Sequence, residues 1–229
     1  MGIYDRDYMR WETPDDGGRY QAWRPRRAWT ATSILLLVNV AVFLLWLMAR
    51  SNPSLAGLMT RNFLLSRKLL AAGHVWTLLT YAFSHMDFMH ILFNMLFLHW
   101  FGRQLEQLYG REEYLVFYVA CALVSGVAHV LLSPHPALGA SGSVMGIVVV
   151  YAFLFPNRKV FIYGLFPIEI KYLAVLYVAM DLFGVFGRPV QGDNIAHAAH
   201  LGGALMGLWY YKTNIRIYRT LRSLFGGRR

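Results

Sequence analysis

The sequence predicts an all-α membrane protein, a bundle of six transmembrane helices, and three observations carry that prediction. Hydrophobic residues fill 57% of the 229 positions and charged residues only 15%, with a mean hydropathy of +0.39; a soluble domain carries about a quarter charged residues. Charge is also excluded from long runs, the clearest lying between Arg27 and Arg50. Finally, Lys and Arg are biased to one side: read as alternate crossings, the runs leave 17 of these residues on one face and 5 on the other. The net charge of +10 falls beside apolar runs, where it sets topology and meets anionic lipid. The lipid bilayer is therefore an expected partner and nucleic acid is not. One cysteine, Cys121, excludes a disulfide framework.

The elements follow in order. Residues 1–29 mix both signs of charge with Pro and Gly and contain no short apolar segment with a cleavage site, which predicts a cytoplasmic N-terminal segment rather than a signal peptide. Residues 30–211 form the predicted membrane domain. Span one, Ala28 to Ala49, is long enough at about 1.5 Å per residue to cross a core of roughly 30 Å. A mixed loop through Arg61, Arg67 and Lys68 leads to span two, about Asp87 to Phe101. Span three runs from about Tyr114 to Leu132 and stops at SPHP; span four, about Ala140 to Phe155, is ended by Pro156 ahead of Arg158 and Lys159. Span five covers about Ile168 to Phe186, and span six lies between Asp193 and Lys212. Residues 212–229 form a basic, amphipathic, interfacial tail. The positive side carries both ends, so the N- and C-termini are expected in the cytoplasm, and the expected location is a bacterial plasma membrane.

Polar residues inside these spans point to a site, because such residues usually face the bundle interior. Span two holds His85, His90 and Asn94, span four Ser141 and Ser143, and span six His197 and His200. Helical rise estimates their depths. Asn94 lies about 10 Å beneath Asp87, and His200 about 9 Å beneath Asn194. Ser141 lies about 21 Å above Phe155, leaving roughly 9 Å of core above it. An alcohol, an imidazole and an amide thus share one level. Gly142 and Gly146 in span four, and Gly203 and Gly207 in span six, let the helices approach closely enough for a base to reach the serine. The first amides of span four favour developing negative charge. The Ser141 amide with the side chains of His90 and Asn94 forms a candidate oxyanion site. Asp181 and Asp193 are candidates for orienting His200, but a Ser–His dyad is the favoured reading. His197, one turn nearer the exterior, is assigned a supporting or surface role.

At these residues the chain resembles the rhomboid family of intramembrane serine proteases. HMDFMHILFN matches the family's H-x4-H-x3-N, GASG its G-x-S-G, and AHLGGALMG its A-H-x-G-G-x-x-x-G. The resemblance covers about residues 70 to 211. It implies a rhomboid-like bundle with Ser141 as nucleophile, His200 as base, His90 and Asn94 as oxyanion donors, and His85 supporting that corner, as Gly139 does at the head of the GASG turn. FGRQLEQLYG looks like the family's connection after span two, with Glu106 capping or pairing there. Substrates would be membrane-anchored proteins, entering between spans two and five or under the loop after span five. Two positions depart from the family: Trp76-Thr77 stands where a Trp-Arg pair is frequent, and Met145 where an aromatic residue is frequent. The resemblance calls for no cofactor or metal. Two other readings compete. A histidine-based metal site or transporter is disfavoured because His85 and His90 are five apart, off a common helical face. A non-catalytic client-binding member should lack the serine or the histidine, and this chain has both.

Overall fold

The computed structural model describes residues 29–162, 165–187 and 195–225. The N-terminal segment expected at residues 1–29 therefore lies almost wholly outside the described residues, as does Asp193. The described elements are α1 (Ala31–Ala49), α2 (Pro53–Phe63), α3 (Arg67–Ala71), α4 (Thr77–Thr80), a 3₁₀ turn (Tyr81–Phe83), α5 (Phe88–Phe97), a π turn (Leu98–Gly102), α6 (Arg103–Tyr109), α7 (Arg111–Leu132) and α8 (Ser141–Leu154). Next come β1 (Lys159–Ile162) and β2 (Phe166–Glu169), then α9 (Ile170–Phe186), α10 (His197–Thr213) and α11 (Ile217–Phe225). The helices confirm the all-α class. Two of them, α1 and α7, are long and apolar enough to cross a membrane by length and composition.

The remaining bundle helices are shorter for visible reasons. α8 has 14 residues, about 21 Å at helical rise, less than the bilayer core. Every residue from Gly142 to Ala152 is buried, so protein rather than lipid surrounds α8, as expected of a helix apolar all round. α7, α8 and α10 form the centre. A Cβ on Gly203 would run into the Gly142 carbonyl, and one on Gly207 would lie 2.6 Å from the Gly146 oxygen. One on Gly202 would lie 2.9 Å from the Val124 carbonyl of α7. Only glycine permits these crossings. Ser143 ties α8 to α7 by donating to the Tyr118 carbonyl at 3.0 Å.

Two regions differ from the sequence expectation. The mixed loop after span one folds into α2, α3, α4 and the 3₁₀ turn, held by side chains whose polarity had marked it as loop. Asn52 and Ser66 cap α2 and α3, and Trp76 donates through Nε1 to Asn62 Oδ1 at 3.1 Å. Thr77 is fully buried and donates to the His74 carbonyl at 2.6 Å, which shows how the loop is held with threonine at that position. Trp46 of α1 donates to Ser84 Oγ at 3.1 Å, and Ser84 in turn donates to the Phe63 carbonyl at 2.9 Å. The second difference is a hairpin, β1 pairing antiparallel with β2 in the register Lys159↔Glu169 and Val160↔Ile168. It displaces the start of the fifth long helix from the expected Ile168 to Ile170.

At the other end of the bundle Glu106 takes the place the resemblance implied, as a cap. Its carboxylate accepts from the amides of Ala31 and Thr32 at 2.6 and 2.9 Å and from the Thr32 hydroxyl at 2.8 Å, neutralising the exposed N–H groups and dipole at the start of α1. Glu113 does the same for α11. It accepts from the Tyr218 and Arg219 amides at 3.1 and 3.4 Å and from the Tyr210 hydroxyl at 3.0 Å. The basic tail is thus pinned to the bundle at its first turn, with Arg216 over the Tyr109 ring at 4.3 Å, while Leu221 and Leu224 remain exposed.

Candidate functional site

The head of α8 is built by a glycine that no other residue can replace. Gly139 has φ +131°, and a Cβ there would lie 2.7 Å from His90 Cε1 and 2.8 Å from its Nε2. Its amide donates to the Tyr81 carbonyl at 2.9 Å, which anchors the turn to the folded loop. The next amide, of Ala140, donates to His85 Nε2 at 3.3 Å. No side chain caps α8, so its first turn presents N–H groups and the positive end of its dipole.

Ser141 is the first residue of α8, and its Oγ lies 2.8 Å from Nε2 of His200 on α10. The two groups that depth alone aligned are therefore in hydrogen-bond contact. The glycines provide the approach: Gly142 passes the Ala199 carbonyl closely enough that an added Cβ would lie 3.2 Å from it.

The other predicted residues gather at this corner in different ways. The His85 and His90 rings meet edge to face with centroids 4.9 Å apart, and His90 packs over Gly139 beside Ser141 Oγ. Asp87 caps α5 by accepting from the His90 amide at 2.9 Å. Asn94, one turn deeper, is buried, and its Nδ2 donates to the His90 carbonyl at 2.8 Å. Met145 is buried with Val149 and Ala204, one turn along α8 from the serine. Because the Ala140 amide donates to His85 Nε2, that nitrogen carries no proton.

Of the two acids named as candidates for orienting His200, Asp181 lies among the described residues and stands beside it. Asp181 Oδ1 lies 2.9 Å from His200 Nδ1, completing a Ser141–His200–Asp181 chain. His197, expected to be supporting or superficial, reaches the same oxygen through its Nδ1 at 2.7 Å. Gly184, one turn along α9 from Asp181, makes room for it, since a Cβ there would overlap the His197 ring. The sequence held a signal for Asp181: an acid within an apolar helix needs a partner. It held none for Gly184 or for the Tyr81 carbonyl. Among the described residues no group of three or more His, Cys, Asp or Glu is arranged to hold a metal ion. Both ring nitrogens of His200 are engaged by protein groups.

Comparison with known proteins adds to this geometry. The Rhomboid domain matches residues 72–216. The chain is 30% identical over 190 residues to RHOMBOID-like protein 12, mitochondrial, of Arabidopsis thaliana, covering 74% of this chain and 54% of that protein. It is 29% identical over 204 residues to Rhomboid protein 1, mitochondrial, of Saccharomyces cerevisiae, covering 85% and 57%. With Rhomboid protease GluP of Bacillus subtilis it shares 32% identity over 143 residues, covering 62% and 26%. The chain thus spans about half the length of the first two relatives or less of the third. An integral membrane protein is what this similarity supports. The Arabidopsis and yeast relatives are mitochondrial by name, which stands against the expected bacterial plasma membrane, whereas the third relative comes from a bacterium.

Proposed function

We propose, on the premise that this chain belongs to the rhomboid family, whose members are generally intramembrane serine proteases, that it is a serine endopeptidase cleaving membrane-anchored proteins within the bilayer. The observation that carries the proposal is the 2.8 Å contact between Ser141 Oγ and His200 Nε2. In this reading six helical segments cross the membrane within residues 30–211: α1, the continuous α5–α6 stretch, α7, α8, α9 and α10. Residues 1–29 and 212–229 lie together on the more positive side.

Ser141 donates its proton to His200 Nε2 as its oxygen attacks the scissile carbonyl. The resulting oxyanion is held at the α8 N-terminus by the Ser141 amide, with the His90 ring and Asn94 Nδ2 alongside. Asn94 moves its amide from the His90 carbonyl to the charged oxygen, an exchange favoured because hydrogen bonds to an ionised acceptor are the stronger. His200 then protonates the leaving amine, and water repeats the sequence on the acyl-enzyme. A substrate helix must unwind first, since its carbonyls are hydrogen-bonded to its own amides, so Gly or Pro near the cut favours cleavage. Its path runs between α5 and α9, whose rings Phe97 and Tyr177 meet with centroids 6.3 Å apart.

The test is cleavage of a model membrane substrate by the full chain in liposomes, together with mass spectrometry after treatment with a serine-reactive phosphonate. Ser141→Ala and His200→Ala are expected to lower kcat by about 10³-fold or more, and the adduct is expected on Ser141. If both variants cut as fast as the parent, the proposal fails.

A further inference from the structure

We infer that Asp181 is a positioning residue for this reaction, fixing the tautomer and orientation of the His200 ring, and that His197 secures the carboxylate in that task. The inference rests on the protease reading and deepens it.

The placement of Asp181 is unusual for its helix. α9 turns Val175, Leu176, Met180, Phe183 and Phe186 outward, each at least half exposed, as a lipid-facing helix does. Asp181 is 4% exposed and faces α10. An ionisable group at such depth is costly unless it is paired, and the pairing here is specific. Oδ1 receives Nδ1 of His200 at 2.9 Å and Nδ1 of His197 at 2.7 Å. An ionised carboxylate can only accept hydrogen bonds, and a neutral imidazole carries a single N–H. The proton of each ring is therefore on Nδ1. For His200 this leaves Nε2 bare, and that atom faces Ser141 Oγ at 2.8 Å. The opposite tautomer would point an N–H at the serine and leave no base.

The same contact serves the next step. As the serine proton moves to Nε2, the imidazolium forms against a negative oxygen already in place, with no side chain to reorganise. His197 contributes by occupancy. Its ring fills the space left by the missing side chain of Gly184, and its bond to Oδ1 opposes rotation of the carboxylate away from His200. Carboxylate and imidazoles come from separate helices, so the arrangement holds only when α9 is docked on α10.

Asp181→Asn in the full chain in liposomes tests this, because the amide keeps the shape but no longer fixes which nitrogen carries the proton. The expected result is a fall in kcat of about 10²-fold or more. KM should stay within about twofold, phosphonate labelling of Ser141 should slow in parallel with kcat, and thermal unfolding should be retained. A merely structural role would not divide kcat from KM in this way. Nitrogen-15 NMR of the parent's histidines provides a measurement that needs no variant: His200 should carry its proton on Nδ1. A kcat and labelling rate within about threefold of the parent, or a His200 proton on Nε2, overturns the inference while leaving a cutting parent as a protease. A parent that neither cuts nor labels removes the protease reading itself.

Discussion

Carboxylates organise both ends of this bundle, and their donors make the two ends different. Glu106 and Glu113 accept from backbone amides and hydroxyls, groups that keep their protons throughout the neutral range. The result is a pair of helix caps that hold α1 and α11 in place. Asp181 accepts from two imidazoles, rings that can carry their proton on either of two nitrogens. The same acceptor thus gives a clamp at one end and, in the proposed reaction, a proton-handling site at the other. What separates them is the chemistry of the donors.

The most damaging way to break this contrast is to separate the helices on which the reactive end depends. Gly203→Val places branched carbons against the Gly142 carbonyl; overpacking of this kind costs about 3 kcal/mol or more. Unfolding in detergent should move to much lower temperature, and phosphonate labelling should be lost even in the surviving folded fraction. Labelling at the parental rate would show that the α8–α10 crossing does not control the Ser141–His200 approach.

A change at the clamp end should have a different signature. Glu106→Ala leaves the Ala31 and Thr32 amides without their acceptor and should cost about 2–3 kcal/mol. In the folded protein kcat should remain within about twofold of the parent, because the change is at the far end of the bundle. A large loss of kcat without loss of stability would contradict the division between the two ends.

Much of this arrangement was legible before any coordinates. Helical rise placed Asn94, Ser141 and His200 at one depth, and the paired glycines announced a close crossing; the 2.8 Å contact between Ser141 and His200 agrees with both. Rise gives depth without azimuth, however, so it could not decide whether Asp181 faced lipid or α10, nor that His197 would share its oxygen. The polar stretch after α1 read as loop because its helices are short and capped by the same Asn and Ser residues that mark loops. The β1–β2 hairpin was hidden because four-residue strands leave too little alternation to recognise.

By itself the sequence determined the all-α membrane class, the order of the main helices and the close crossing of α8 and α10, because length, hydropathy and glycine spacing act locally along the chain. Only the tertiary structure decided that Asp181 turns inward, that His197 and His200 meet on its Oδ1, and that the Tyr81 carbonyl anchors the head of α8. Those are contacts between segments far apart in sequence, and their geometry depends on helix rotation and on what each glycine leaves room for.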